Sequence, residues 1–310
     1  MVPISKTLSD HTLEWVVDAV DPEASVLAVE QLQGGVSSRV HAVVLRSHGD
    51  KRAVVVREFD NADWVREQPD LALQEAQSLR RASQAGEVPT PALIACDQSG
   101  SECGMPVVVM TRLEGRVVLE PPDRALWLDG MAEALARLHT IEAGDHPWTF
   151  APYSNAATLD TTSWSKVPDL WRKAADIVTG TRPRAAMRFI HRDYHPANVL
   201  WHAGKVSGVV DWVNGCVGPV GIDVGHCRVN LAQLHGIGAA DEFLACYENH
   251  AGASFAYDPY WDLVTLIDFA YERPEVYGGW TALGMTGLTA ETVMESLDRY
   301  LVSLLNRMST

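Results

Sequence analysis

Along the first third of the chain the apolar positions recur with the short period of strands. Residues 25–33 are followed by the glycine turn Gly34-Gly35-Val36-Ser37-Ser38, and residues 40–45 and 53–59, rich in β-branched side chains, flank a second turn at Gly49-Asp50. This pattern predicts a three-strand meander. The period then lengthens: Leu71, Ala72, Ala76 and Leu79 fall on one side of a helix over 71–85, which Gly86 should stop. Pro89 and Pro91 impose an extended connection, and residues 92–96 and 106–110 predict two more strands, the second apolar throughout as a buried strand is. Beyond it Leu128, Met131, Leu135 and Leu138 recur at three- and four-residue spacing, the buried stripe of a helix. Residues 148–165 mix Pro, Asn, Thr and aromatics and give no assignment. Helical patterning returns from about Ala240, and Val293, Met294, Leu297, Leu301 and Leu304 mark a final amphipathic helix. A mainly β part followed by a mainly α part, joined at 111–115, is the α+β class.

With 310 residues, 47% of them apolar, the chain can fill a sizeable core. Its formal charge of −15, from 40 acids against 25 bases, excludes a general nucleic-acid binder, which needs Lys and Arg in excess. The five cysteines, Cys96, Cys103, Cys216, Cys227 and Cys246, form no C-x-x-C pair and no regular framework, the usage of a reduced compartment. No stretch has the length and apolarity of a signal h-region or a membrane span. The expectation is a soluble protein of the cytoplasm.

The candidate chemistry is concentrated in residues 189–225, FIHRDYHPANVLWHAGKVSGVVDWVNGCVGPVGIDVG. His191-Arg192-Asp193, followed after four intervening residues by Asn198, has the spacing of a kinase catalytic loop, and Asp211 ends a β-branched run where a kinase places its second metal carboxylate. Phosphoryl transfer demands positioning and charge neutralisation more than covalent chemistry. Asp193 suits the carboxylate that orients and accepts the proton of an attacking hydroxyl. Asn198 and Asp211 supply the oxygen donors that magnesium prefers. His191 reads as an architectural hydrogen-bonding residue. A competing reading takes His191, Asp193, His195, His202 and His226 as ligands of a hydrolytic metal site, but it leaves Asn198, Asp211 and the glycine turn without a role.

HRDYHPANVLW followed by GVVDWVNGCVGPVGIDVG resembles the aminoglycoside phosphotransferase family, most strongly between His191 and Asp223. The resemblance implies the bilobal protein-kinase-like fold, with an N-terminal nucleotide-binding lobe over 1–113, an antiparallel sheet with one helix, and a larger, mainly helical catalytic and substrate-binding lobe over 114–310. It implies Asp193 as catalytic base and Asn198 and Asp211 as magnesium ligands, with ATP or GTP as phosphoryl donor. Glu75 matches the helix glutamate that pairs with a cation on the third strand, and that cation here is Arg57 where the family usually has Lys. Gly34, Gly35, Ser37 and Ser38 resemble the loop over the phosphates, although the turn lacks G-x-G-x-x-G. Met110, Thr111 and Leu113 resemble the strand and hinge beside the base, with Leu200 covering its face. Asp223 resembles a residue that braces the catalytic loop. Asp211-Trp212-Val213 stands where protein kinases have Asp-Phe-Gly, and the segment from there to Asp223 is too short for a peptide-docking activation loop, which favours a small-molecule acceptor.

That acceptor is expected among the C-terminal helices, where Asp262, Asp268, Trp261 and Tyr271 combine carboxylates with aromatics suited to an aminoglycoside or another cationic alcohol. A metabolic kinase of the same fold, acting on an amino alcohol, sugar or nucleoside-like compound, and a nucleotide-binding scaffold without turnover remain alternatives.

Overall fold

The computed structural model of the chain describes residues 8–33 and 38–308. A first helix, α1 (Asp10–Val20), is started by Ser9, whose hydroxyl accepts the Thr12 N–H at 3.0 Å. It precedes the meander β1 (Ser25–Gln31), β2 (Arg39–Ser47) and β3 (Asp50–Glu58). Next come α2 (Ala62–Glu67), α3 (Leu71–Ala82), β4 (Leu93–Asp97) and β5 (Val107–Thr111). The five strands form one antiparallel sheet in the order β1-β2-β3-β5-β4.

The period-two pattern sorts this sheet's faces. Val54 and Val56 of β3 with Val107 and Val109 of β5 pack with Leu45 and with Val16 of α1, while Val108 and Met110 turn the other way into the main core beside Leu71, Ala72 and Leu79 of α3. Helix α1 thus covers one face and α3 the other. Each fully buried Val or Leu contributes roughly 1.5–3 kcal/mol.

The second lobe contains β6 (Arg116–Val117), α4 (Arg124–Leu138), α5 (Pro168–Thr179), β7 (Met187–Ile190), β8 (Val199–His202), β9 (Lys205–Val209) and β10 (Cys216–Pro219). Helices α6 (Val220–His235), α7 (Ile237–Ala251), α8 (Pro259–Ala270), α9 (Gly278–Ala282) and α10 (Ala290–Met308) complete it. Two small sheets frame the site: β6-β8-β9, and β7 paired antiparallel to β10 with Ile190 opposite Cys216. The bilobal α+β architecture read from the sequence is the one observed.

Helices α1, α2, α5 and α6 and the strands β6, β7 and β10 were not expected from the pattern, so the N-terminal lobe carries three helices where one was expected. Helix α6 has a physical reason for being illegible: Gly221 through Gln233 are all buried, so no polar face gives the helix a period. It approaches α8 closely, because a Cβ on Gly221 would stand 2.6 Å from Trp261 and one on Gly225 2.8 Å from the Thr265 hydroxyl.

Candidate active site

The catalytic-loop sequence runs between β7 and β8 and is held from beneath by Asp223, near the start of α6. This fully buried carboxylate accepts the backbone N–H groups of His191 at 2.8 Å and Arg192 at 2.7 Å, and takes His139 Nε2 at 3.0 Å. Burial alone would raise its pKa, but the His139 hydrogen bond and the other donors hold it below the ordinary Asp value. The His191 ring donates Nε2–H to the Val210 carbonyl at 2.9 Å, and its Nδ1 faces the Asp193 N–H at 3.3 Å. That bond ties the loop to the strand that delivers Asp211. Arg192 and Asp211 both have left-handed backbone, φ 72° and 67°, a conformation costly for residues other than glycine and held here by the surrounding bonds.

Asn198 donates its amide Nδ2–H to the Asp193 carbonyl at 2.9 Å, leaving its side-chain oxygen as the atom suited to a cation. Asp211 receives Arg57 Nη1 at 2.8 Å, and the same nitrogen lies 3.5 Å from Glu75. Arg57 on β3, Glu75 on α3 and Asp211 after β9 are therefore linked across the two lobes through one guanidinium. A second link fixes that arrangement: the Gly215 carbonyl accepts from Gln74 Nε2 at 3.2 Å, Ser78 Oγ at 3.3 Å and His146 Nε2 at 3.0 Å. Gln74 and Ser78 flank Glu75, so the helix bearing the glutamate is fastened to the turn bearing Asp211.

The electrostatics of this cluster are uneven. Arg57 engages Asp211 more closely than Glu75, whose two oxygens are buried with no hydrogen-bond partner among the described residues. Burial, reinforced by Asp211 and opposed by Arg57, pushes Glu75 up to about 7. Asp193 goes the other way. Burial would raise it, but the hydrogen bond from His226 Nε2, 3.0 Å from Oδ1, and the neighbouring histidines hold it well below the carboxylate range. His195 lies 3.9 Å from the same oxygen, and burial lowers its own pKa to about 4. It is uncharged at neutral pH, so the His226 bond does most to keep Asp193 ionised there.

Gly34, Gly35 and Ser37 lie outside the described residues, and Ser38 is buried at the start of β2. Met110 is a core residue. Thr111 ends β5, where its N–H goes to the Ala92 carbonyl at 2.9 Å and its hydroxyl accepts the Ala92 N–H at 2.8 Å. Leu113 is half-buried against Gly208 of β9, and Leu200 is half-buried in β8. Two substrate candidates are corrected. Asp262 is interior, bonded to Arg228 Nη1 at 2.6 Å and Tyr300 OH at 2.7 Å, and Trp261 is buried against α6. Asp262 and Trp261 point into the core because α6 and α10 pack on that side of α8, which residue type alone does not disclose. Asp268 and Tyr271 do line an open cavity of about 670 Å³, with Tyr153, Ser154, Glu272 and Glu275. The Asp268 charge is already met by Arg192 Nη2 at 3.1 Å and the Ser154 hydroxyl at 2.7 Å.

The structure gives several residues at this site roles that were not read from the sequence. Arg192 stacks its guanidinium 3.8 Å over Tyr153, connecting the catalytic loop to the cavity wall. Tyr277, whose ring centroid lies 5.9 Å from that of His195, is raised to about 12 by burial and by the charges of Asp193 and Asp211. His139 and His226 brace Asp223 and Asp193. Arg192 sits within the loop motif, but its partners Tyr153 and Asp268, like Tyr277, His139 and His226, come from elements distant in sequence, so no local signal pairs them. The competing metal reading fails on geometry: His191 is committed to Val210, His202 is exposed at the end of β8, and no three His, Cys, Asp or Glu among the described residues are grouped to hold a metal ion.

A bilobal kinase-like frame with these groups at its cleft defines a phosphotransferase class, and comparison agrees. The chain matches the phosphotransferase enzyme family (APH) over residues 28–263 and belongs to it. It is 29% identical over 147 residues to a homoserine kinase from Mesorhizobium japonicum (strain LMG 29417 / CECT 9101 / MAFF 303099), an alignment covering 41% of this chain and 42% of that kinase's length. A thermostable mutant of aminoglycoside phosphotransferase APH(4)-Ia, solved with AMP-PNP and hygromycin B, superposes with TM-score 0.64 at 16% identity, covering 95% of this chain and 99% of that one. The amicoumacin kinase hAmiN, solved with AMP-PNP, Ca2+ and Ami, gives TM-score 0.60 at 12% identity over 96% and 94%. At these identities the structures share the fold. No helix among the described residues is long and apolar enough to cross a membrane.

Proposed function

We propose that this chain is a kinase of small molecules that transfers the γ-phosphate of a magnesium-bound nucleoside triphosphate to an alcohol, working in the cytoplasm with its nucleotide lobe over 1–113 and its catalytic lobe over 114–310. The observation that carries the reading is the link of Arg57 to both Asp211 and Glu75, with the loop of the Asn198–Asp193 bond joined to the same strand end by the Val210 N–H to Asn198 carbonyl bond. The residues fit the groups they would hold. Asn198 and Asp211 offer hard oxygen donors, and Arg57 Nε is buried with no hydrogen-bond partner among the described residues, as suits a donor meant for phosphate. Magnesium at that pair would neutralise charge on the β- and γ-phosphates.

Asp193, kept ionised by His226, accepts the hydrogen of the acceptor hydroxyl through Oδ2 and takes its proton as the bond to phosphorus forms. Its depressed basicity fits a loose transition state, in which the alcohol is oriented first and deprotonated late. Arg57 steadies the phosphates, and the Gly215 fastening keeps Glu75 and Asp211 in register while it does so. The acceptor occupies the cavity at Asp268 and Tyr271, where Glu272 and Glu275, set against the one lining arginine Arg273, leave a negative balance that suits an aminoglycoside or similar cationic alcohol.

A second reading, a metabolic kinase of an amino alcohol, is favoured by the homoserine kinase similarity and by the neutralisation of Asp268 by Arg192. A panel of aminoglycosides, amino alcohols and sugars, with ATP and GTP as donors, separates the two. Asp193→Ala should lower transfer by about 10²–10⁴-fold with little change in nucleotide affinity, whereas Asp211→Ala should lose metal-dependent nucleotide binding. Equal turnover in wild type and Asp193→Ala refutes the proposal, and binding of Mg-nucleotide without transfer to any acceptor or to water would indicate a scaffold.

A further inference from the structure

The bonds that hold the catalytic loop fix its backbone, since Asp223 takes the N–H groups of His191 and Arg192. They leave the Asp193 side chain free to turn, and its terminal torsion is a soft one. Its contacts are asymmetric. Oδ1 lies 3.0 Å from His226 Nε2 and 3.9 Å from His195, whereas Oδ2 has, among the described residues, only the Asn198 amide, at the long distance of 3.5 Å. An ionised carboxylate only accepts, so Nε2 of His226 is the donor.

The His226 ring has little freedom itself. It is nearly buried on α6, packed between Phe269 at 5.2 Å and His195 at 5.9 Å between ring centroids, on the helix that also carries Asp223. One helix thus holds both the backbone of the catalytic loop and its carboxylate.

We infer that His226 is a positioning residue: its Nε2–H ties down Oδ1 of Asp193 and so assigns Oδ2 to the acceptor hydroxyl. The inference rests on the kinase reading for its consequence and on the His226–Asp193 contact for its geometry. Losing the donor lets the carboxylate rotate, and a misplacement of about 1 Å costs on the order of 10²-fold in rate.

The test compares wild type, His226→Leu, which fills the space without a donor, and His226→Gln, whose amide N–H reaches the same oxygen. Expected are a fall in kcat of about 10²-fold for His226→Leu, recovery of most of it in His226→Gln, and a nucleotide KM and thermal midpoint alike in the two variants. Acceptor phosphorylation and slow nucleotide hydrolysis both serve as rate readouts. Full kcat in His226→Leu, or equal loss in Leu and Gln variants, overturns the inference. Proton NMR reads the bond without turnover: a solvent-protected imidazole N–H signal should be present in wild type and lost in both His226→Leu and Asp193→Ala. Its absence from wild type, or persistence in Asp193→Ala, also overturns the inference. An enzyme with that signal but no transfer of any kind would instead sink the kinase reading.

Discussion

Replacing Asp262 with alanine removes a carboxylate that residue type suggests for the substrate site and the structure puts in the core. Its side chain is 1% exposed and that of Arg228 0%. The change deletes the 2.6 Å pair with Arg228 and the acceptor, at 2.7 Å, for the buried Tyr300 hydroxyl. Removing one partner of a buried ion pair costs about 3–5 kcal/mol, because the other charge is left behind. Arg228 retains the Tyr257 hydroxyl at 2.7 Å, the half-exposed Asp241 at 3.0 Å and the Ala240 carbonyl at 3.1 Å, which argues for the lower end. The orphaned Tyr300 hydroxyl adds roughly 1–2 kcal/mol. A net loss of about 4 kcal/mol is expected, a fall in Tm of roughly 8 °C for a chain of this size. Urea unfolding and thermal melts measure the loss, and Asp262→Asn, which keeps an uncharged acceptor, should lose about half as much. Acceptor KM, measured well below the melt, should be unchanged. An Asp262→Ala protein with wild-type stability and a raised acceptor KM would refute the structural role and return Asp262 to the substrate site.

Protonation of His195 gives a pH signature. Its pKa is lowered by burial to about 4, so between the ordinary histidine value and about 4 the unfolded chain binds a proton that the folded chain refuses, and stability falls as pH falls through that window. The effect is on the order of 3 kcal/mol at its full extent. Glu75, raised by burial to about 7, acts with the opposite sign, since the folded chain holds its proton while the unfolded one has released it. The clean measurement is therefore differential: His195→Gln should gain stability relative to wild type between pH 7 and pH 4.5, and a constant difference would count against the buried neutral ring. Arg192→Gly relieves the left-handed backbone, worth about 1–2 kcal/mol, but breaks the pair with Asp268 and the stack on Tyr153. It should be destabilised overall and show a raised acceptor KM at constant nucleotide KM; a more stable protein with wild-type kinetics would deny Arg192 any part in the cavity.

Sequence by itself determined the meander, the helix bearing Glu75, the α+β order, the loop that carries Asp193 and Asn198, and the hairpin that leads to Asp211. These are local in the chain: period-two and period-3.6 patterns and a motif of fixed spacing both act over a few residues. Tertiary structure alone decided which carboxylates are interior and which border a cavity. Asp262 and Asp268 lie on one helix with similar neighbours, yet one closes a core ion pair and the other borders a cavity, because α6 and α10 bury one side of α8 and not the other. It also decided the supports of the loop. His139, His226 and Arg57 reach Asp223, Asp193 and Asp211 across 84, 33 and 154 positions of chain respectively. Contacts at such separations leave no periodic trace; they exist only once a buried helix such as α6, itself without a polar face, is packed in place.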